Sequence, residues 1–184
     1  MLGVFSCYNY KIMKKDTIEV IFTGGTIDSY YDSTKDAIIP LKKSCLPSFL
    51  KSIKTNDNFS FVEICMKDSR SLNGEDLKKL LTSIRKSVSK KIIITHGTYT
   101  MPDTARFLSA NIKKGDKTII LTGSMVPLTG FSPSDAPFNL GYSIASVKTL
   151  KPGIYVCMNG QIFNPEEVAK RISEGKFVSV FNKK

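Results

Sequence analysis

Short apolar runs rich in Ile, Val, Phe and Thr alternate along this chain with longer stretches in which apolar residues recur every three or four positions. The short runs, near Thr17 to Phe22, Ser60 to Met66, Lys91 to Thr95, Lys117 to Thr122 and Gly153 to Met158, predict strands. Between them Leu77, Leu80, Leu81, Ile84 and Val88 keep helical spacing, opened by Asn73 with Asp76 three residues on, the pattern of a reciprocal N-terminal cap. A second helix is predicted from about Met101 to Ile112. Thr100 and Asp103 stand in capping-box spacing there, Pro102 lies in the first turn, and Ala105, Leu108 and Ile112 share a face. Asp135 to Leu150, Pro165 to Ser173 and Leu46 to Ile53 read as further helices, and the polar stretch Asp28 to Ser44 as a long loop of the kind that forms lids.

Strands alternating with helices predict an α/β fold with a mainly parallel sheet between two helix layers, Rossmann-like or flavodoxin-like in its three-layer build. At 184 residues one domain is expected, over 17–184 behind a loose N-terminal tail, 1–16; Met13 is an alternative start to Met1. In such a sheet the loops after the strands' carboxyl ends line the ligand crevice. Two hydroxyl-rich turns sit there: Thr23-Gly24-Gly25-Thr26, and His96-Gly97-Thr98.

Composition narrows the chemistry. A net charge of +11 is scattered as short lysine pairs such as Lys42-Lys43 and Lys90-Lys91, without interleaved aromatics, which disfavours a nucleic-acid groove. Cys7, Cys45, Cys65 and Cys157 are too far apart for a redox or zinc motif, and His96, the one histidine, has no second imidazole. Reduced thiols, no metal and no cofactor are expected. No run approaches the roughly 20 apolar residues of a membrane span, and the first residues make a poor signal peptide. A cytoplasmic protein without membrane partners is expected.

Thr26 is a candidate nucleophile, although Ser and Thr after strands also cap turns. His96 is either the base of a Ser-His-Asp arrangement or a backbone-bonded structural histidine. A lysine with a lowered pKa is the remaining base. The glycines match neither a GxGxxG nor a GK[ST] phosphate loop.

Five segments then carry a resemblance in order and spacing: Ile21-Phe-Thr-Gly-Gly-Thr-Ile-Asp28, Ile94-Thr-His-Gly-Thr-Tyr-Thr-Met101, Leu121-Thr-Gly-Ser-Met125, Ser134-Asp-Ala-Pro-Phe-Asn-Leu140 and Met158-Asn159. Together they resemble the successive signatures of the bacterial L-asparaginase family, over about Thr17 to Lys170. Longer members carry a second, smaller C-terminal domain, so the resemblance implies the short, single-domain branch. It implies that Thr26 attacks a side-chain amide carbonyl to form an acyl-enzyme. Thr98 would be the second catalytic threonine, kept active by Lys170, eleven residues beyond Asn159. Ser69 would hold the substrate α-carboxylate, Asp68 would add mainly backbone contact, and Tyr31, or failing it Tyr30, would close over the nucleophile. Amides near Thr98 and in the turn after Gly123, where Ser124 meets the substrate, would stabilise the oxyanion.

One position departs from the pattern. Where the resemblance implies an aspartate that binds the substrate α-amino group and pairs with the lysine, this chain has Tyr99. A phenol, with a reference pKa of about 10, cannot replace a carboxylate opposite an ammonium. The expectation is an asparaginase-like amidohydrolase acting on L-asparagine or a related small amide, with weak affinity for asparagine or a substrate whose α-amino group is absent or blocked. The alternative is an impaired homologue that binds an acidic amino acid or other small anion. A homodimer or higher homo-oligomer is expected.

Overall fold

The computed structural model describes residues 17–113 and 115–181; the expected tail 1–16 lies outside them. Its centre is a six-stranded sheet ordered β4-β1-β5-β6-β7-β8. β1 (Thr17–Gly24), β4 (Asn58–Lys67), β5 (Lys91–Thr95), β6 (Thr118–Thr122) and β7 (Gly153–Met158) run parallel, and β8 (Gln161–Phe163) closes the edge antiparallel to β7. Strands buried on both faces need continuous apolar runs. Lys91-Ile-Ile-Ile-Thr95 and Thr118-Ile-Ile-Leu-Thr122 supply them: Ile92, Ile94, Ile119 and Leu121 face one helix layer, and Ile93 and Ile120 the other.

α2 (Gly74–Lys86) and α3 (Met101–Asn111) cover the first face through Leu80, Ile84, Met101 and Leu108. α1 (Leu46–Ser52) and α4 (Ala136–Thr149) cover the second through Leu46, Leu50, Leu140 and Val147. The crossovers β5–α3–β6 and β6–α4–β7 step one strand in the same direction with their helices on opposite faces, so they have opposite hands. The second crossover carries the long loop after β6 over the first turn of the chain, where Leu128 N donates to Ile27 O at 3.2 Å.

The Asn73–Asp76 capping box forms as expected, with both reciprocal bonds present. The helix it opens ends before Val88, which is 98% exposed because Ser87 has turned to extended backbone. Thr100 caps α3 without a side-chain bond: its hydroxyl donates instead to Ser69 O at 3.0 Å, tying two loops together. The stretch expected as a loop, Asp28 to Ser44, contains an antiparallel hairpin, β2 (Ser29–Asp32) with β3 (Ala37–Pro40).

The expected helix Pro165 to Ser173 is overturned. Its residues form β9 (Val168–Arg171), paired antiparallel with β10 (Lys176–Ser179). Val168 and Phe177 enter the main core from adjacent strands, and the Glu167 carboxylate accepts bonds from Asn164 N and from Ser179 Oγ. Long-range pairing here outweighs the helix-forming Glu and Ala residues.

Candidate active site

β1 and β5 are neighbours whose following helices lie on opposite faces of the sheet, so a crevice opens at their carboxyl ends. Glycine makes the approach of the loops possible. Gly25 has φ of +84°, and a Cβ there would lie 2.3 Å from Gly97 N; a Cβ on Gly97 would lie 2.6 Å from Ser69 Cβ. The three turns holding Thr26, Thr98 and Ser69 therefore touch backbone to backbone, in a packing that any larger side chain would break. Gly25 N donates to Lys67 O at 2.8 Å, and Thr23 Oγ1 to Thr95 O at 2.9 Å.

Thr26 opens a 3-10 turn, Thr26–Asp28, and is half-buried; its hydroxyl has no partner among the described residues. Thr98 is buried, and Lys170 Nζ donates to Thr98 Oγ1 at 2.7 Å from β9, 72 residues further along the chain. Burial lowers the Lys170 pKa, the Arg70 guanidinium lowers it further, and Asp68 acts weakly the other way.

Ser69 is buried, and its Oγ accepts from Thr100 N at 3.4 Å. Asp68 caps the turn Ser69–Ser71 and is held by Arg70 through Nε at 3.0 Å and Nη2 at 2.9 Å, which keeps its carboxyl below the usual range. Tyr99 is 55% exposed, with the Arg70 guanidinium 5.8 Å from its ring centroid. Ser124 is buried and its hydroxyl donates to Val126 O at 2.6 Å, within its own turn. Tyr31 is exposed on β2, its hydroxyl donating to Asp36 Oδ1 at 2.6 Å across the hairpin, and Tyr30 is exposed beside it.

His96 is fully buried, with Nδ1 2.8 Å from Gly97 O and Nε2 3.0 Å from Thr104 Oγ1. Nδ1 carries the proton toward the carbonyl and Nε2 accepts from the threonine, while burial pushes the pKa down to about 4. It is the structural histidine of the two readings.

Asp135 and Asn139 had no role assigned from sequence. Asp135 accepts from Met125 N and Val126 N, and Asn139 Nδ2 donates to Asp135 Oδ2 and Gly123 O. Asn139 Oδ1 accepts from Asn159 N, and Asn159 Oδ1 from Phe177 N, the register partner of Lys170. A buried asparagine in the middle of the apolar face of α4 was the available signal. Among the described residues no group of three His, Cys, Asp or Glu is arranged to hold a metal, and no helix is long and apolar enough to cross a membrane.

The family model described as asparaginase, N-terminal, matches residues 17–180. The glutaminase-asparaginase of Acinetobacter glutaminasificans is 33% identical over 170 residues, 86% of this chain and 51% of that protein. The thermostable L-asparaginase from Thermococcus kodakarensis superposes with a TM-score of 0.78 at 30% identity, covering 89% of this chain and 51% of that one. The probable cytoplasmic L-asparaginase from Campylobacter jejuni gives a TM-score of 0.71 at 30% identity, covering 90% and 52%. The chain spans about half the length of these relatives.

Proposed function

The chain belongs to the asparaginase family, and from that premise we propose that it is an amidohydrolase releasing ammonia from L-asparagine or a related small amide through a Thr26 acyl-enzyme. The observation that carries this reading is the 2.7 Å contact between Lys170 Nζ and Thr98 Oγ1. A half-buried lysine with a lowered pKa is suited to accept a proton through that contact once its amine is neutral.

In the proposed reaction the Thr26 hydroxyl adds to the amide carbonyl carbon. The C–N bond breaks, and ammonia leaves with the proton that Thr26 gave up. Water then attacks the ester, with the Thr98–Lys170 pair taking its proton and returning it to Thr26 as the acid departs. The Ser69 turn meets the substrate carboxylate, and Tyr31 closes over Thr26 once its bond to Asp36 is released. Asp68 and Ser124 serve mainly by shaping their turns, which their observed bonds support. Among the described residues the thiols of Cys45, Cys65 and Cys157 are free, which suits a reducing compartment such as the cytoplasm. The exposed Phe138, stacked on Tyr142 of α4, is apolar surface that a homo-oligomer would cover.

A second reading, a binder of acidic amino acids or similar anions, is favoured by Tyr99 and the Arg70 beside it. Ammonia release from asparagine and glutamine, with Thr26→Ala as control, separates the two. Turnover abolished by Thr26→Ala, with the variant still folded, supports the hydrolase. Aspartate binding without turnover in the parent protein supports the anion binder.

A further inference from the structure

Beside the Thr98–Lys170 pair lies a cavity of about 180 Å³ between the start of α3 and the β9 hairpin. Lys170 lines this cavity and also bonds Thr98, so the cavity adjoins the Thr98 side of the crevice. Tyr99, Pro102, Ala169 and Ile172 give it apolar walls.

The carboxylates around it are already paired. Asp68 has both oxygens on Arg70, and Asp103, on the cavity's rim, holds Arg106 Nη1 at 3.1 Å. Arg106 is itself fixed by Nη2 on Val168 O at 2.7 Å. Both carboxylates near this region already pair with an arginine, so neither offers an unpaired partner to an ammonium, and such a group would lie close to the Arg70 guanidinium. A neutral nitrogen bearing an apolar substituent avoids that conflict and has walls to lie against.

We propose that this cavity is a subsite for an acyl group on the substrate's α-nitrogen, so that the chain acts on small N-acylated ω-amides of the N-acyl-asparagine type in preference to the free amino acid. The bond broken is still the terminal amide C–N bond. The products are ammonia and the N-acylated acid, and the acyl–nitrogen bond is kept. This inference rests on the hydrolase reading for turnover, but not for binding.

The test compares kcat/KM for asparagine, N-acetylasparagine and N-benzoylasparagine. Alongside it, calorimetry on Thr26→Ala compares aspartate with N-acetylaspartate. N-acetylasparagine should exceed asparagine by about tenfold, the scale set by burying a small apolar group and removing an unpaired ammonium. Ile172→Trp, at an exposed position of the hairpin turn, should narrow the cavity and lower the benzoyl-to-acetyl ratio several-fold. Asparagine turned over as well as or better than its N-acyl forms overturns the subsite and leaves the hydrolase standing. Tenfold tighter binding of N-acetylaspartate without any turnover supports the subsite and removes the hydrolase reading. Equal binding without turnover overturns both.

Discussion

Lys170 and Thr98, 72 residues apart, are joined by a 2.7 Å hydrogen bond at the mouth of the crevice. The lysine reaches the threonine from a hairpin outside the main sheet, so its position depends on what holds β9 and β10 in place. Asn159 does part of this, accepting from Phe177 N at the end of β7, and Asn139 holds Asn159 in turn. Lys170 is thereby coupled to the same buried amide that braces the turn after β6.

Lys170→Met keeps the apolar stem and deletes the amine, so turnover at neutral pH should fall roughly 10²- to 10⁴-fold. In the parent protein kcat/KM should rise with pH and level off above the Lys170 pKa, which burial and Arg70 place below the ordinary 10.5. Arg70→Leu removes a cation that favours the neutral amine and frees Asp68, which favours the charged one, so the rising limb should move to higher pH. Steady-state pH profiles of the three proteins check this. A limb unmoved by Arg70→Leu would separate Lys170 from the titration.

Asn159→Gly removes one acceptor while keeping a residue suited to the observed φ of +54°. The lost bond should cost about 1 kcal/mol of stability in urea unfolding. With its hairpin loosened, the Lys170 amine should be better hydrated, moving its pH limb upward, and kcat should drop about tenfold. A purely structural asparagine would lower stability without moving that limb.

The parallel sheet and the cap of α2 were legible because continuous isoleucine runs and an Asn-x-x-Asp spacing act locally. Thr26, Ser69 and Thr98 were legible as candidates because each sits in a short turn after a parallel strand, where loops line the crevice, whereas Lys170 and Tyr31 lie on the strands β9 and β2. Lys170 was found by its distance from Asn159, yet its helix was misread: Pro165-Glu-Glu-Val has helical composition, and the strand exists only because β10 pairs with it. Thr100 looked like a cap because Asp103 follows at the right spacing, but Ser69 O, 31 residues away in sequence, takes its hydroxyl. The Asp135–Asn139 brace was hidden because a period of 3.6 marks a buried face without saying which polar residue on it is bonded.

His96 supplies a pH dependence of stability. Its folded pKa of about 4 lies below the ordinary 6.5, so between those values the unfolded chain binds a proton that the native protein does not. Stability from this residue is fully present above pH 6.5 and is lost as pH falls toward 4, a change of ~3 kcal/mol. Urea midpoints measured across that window should fall less steeply for His96→Gln than for the parent. Parallel curves would mean that His96 titrates normally in the folded state.

Tyr99→Asp is the most discriminating substitution, because it places a carboxylate beside Lys170 and Arg70 at an exposed position where folding is not at stake. A hydrogen bond to a charged group is worth about 1.5 to 3 kcal/mol, so kcat/KM for asparagine should rise roughly 10- to 100-fold. The gain should be confined to amides with a free α-ammonium. N-acetylasparagine should gain nothing or lose, since its nitrogen carries no charge and the phenol ring that flanked its acyl group is gone. The measurement is the ratio of the two kcat/KM values in parent and variant. A ratio that stays constant would show that residue 99 does not face the substrate's α-nitrogen.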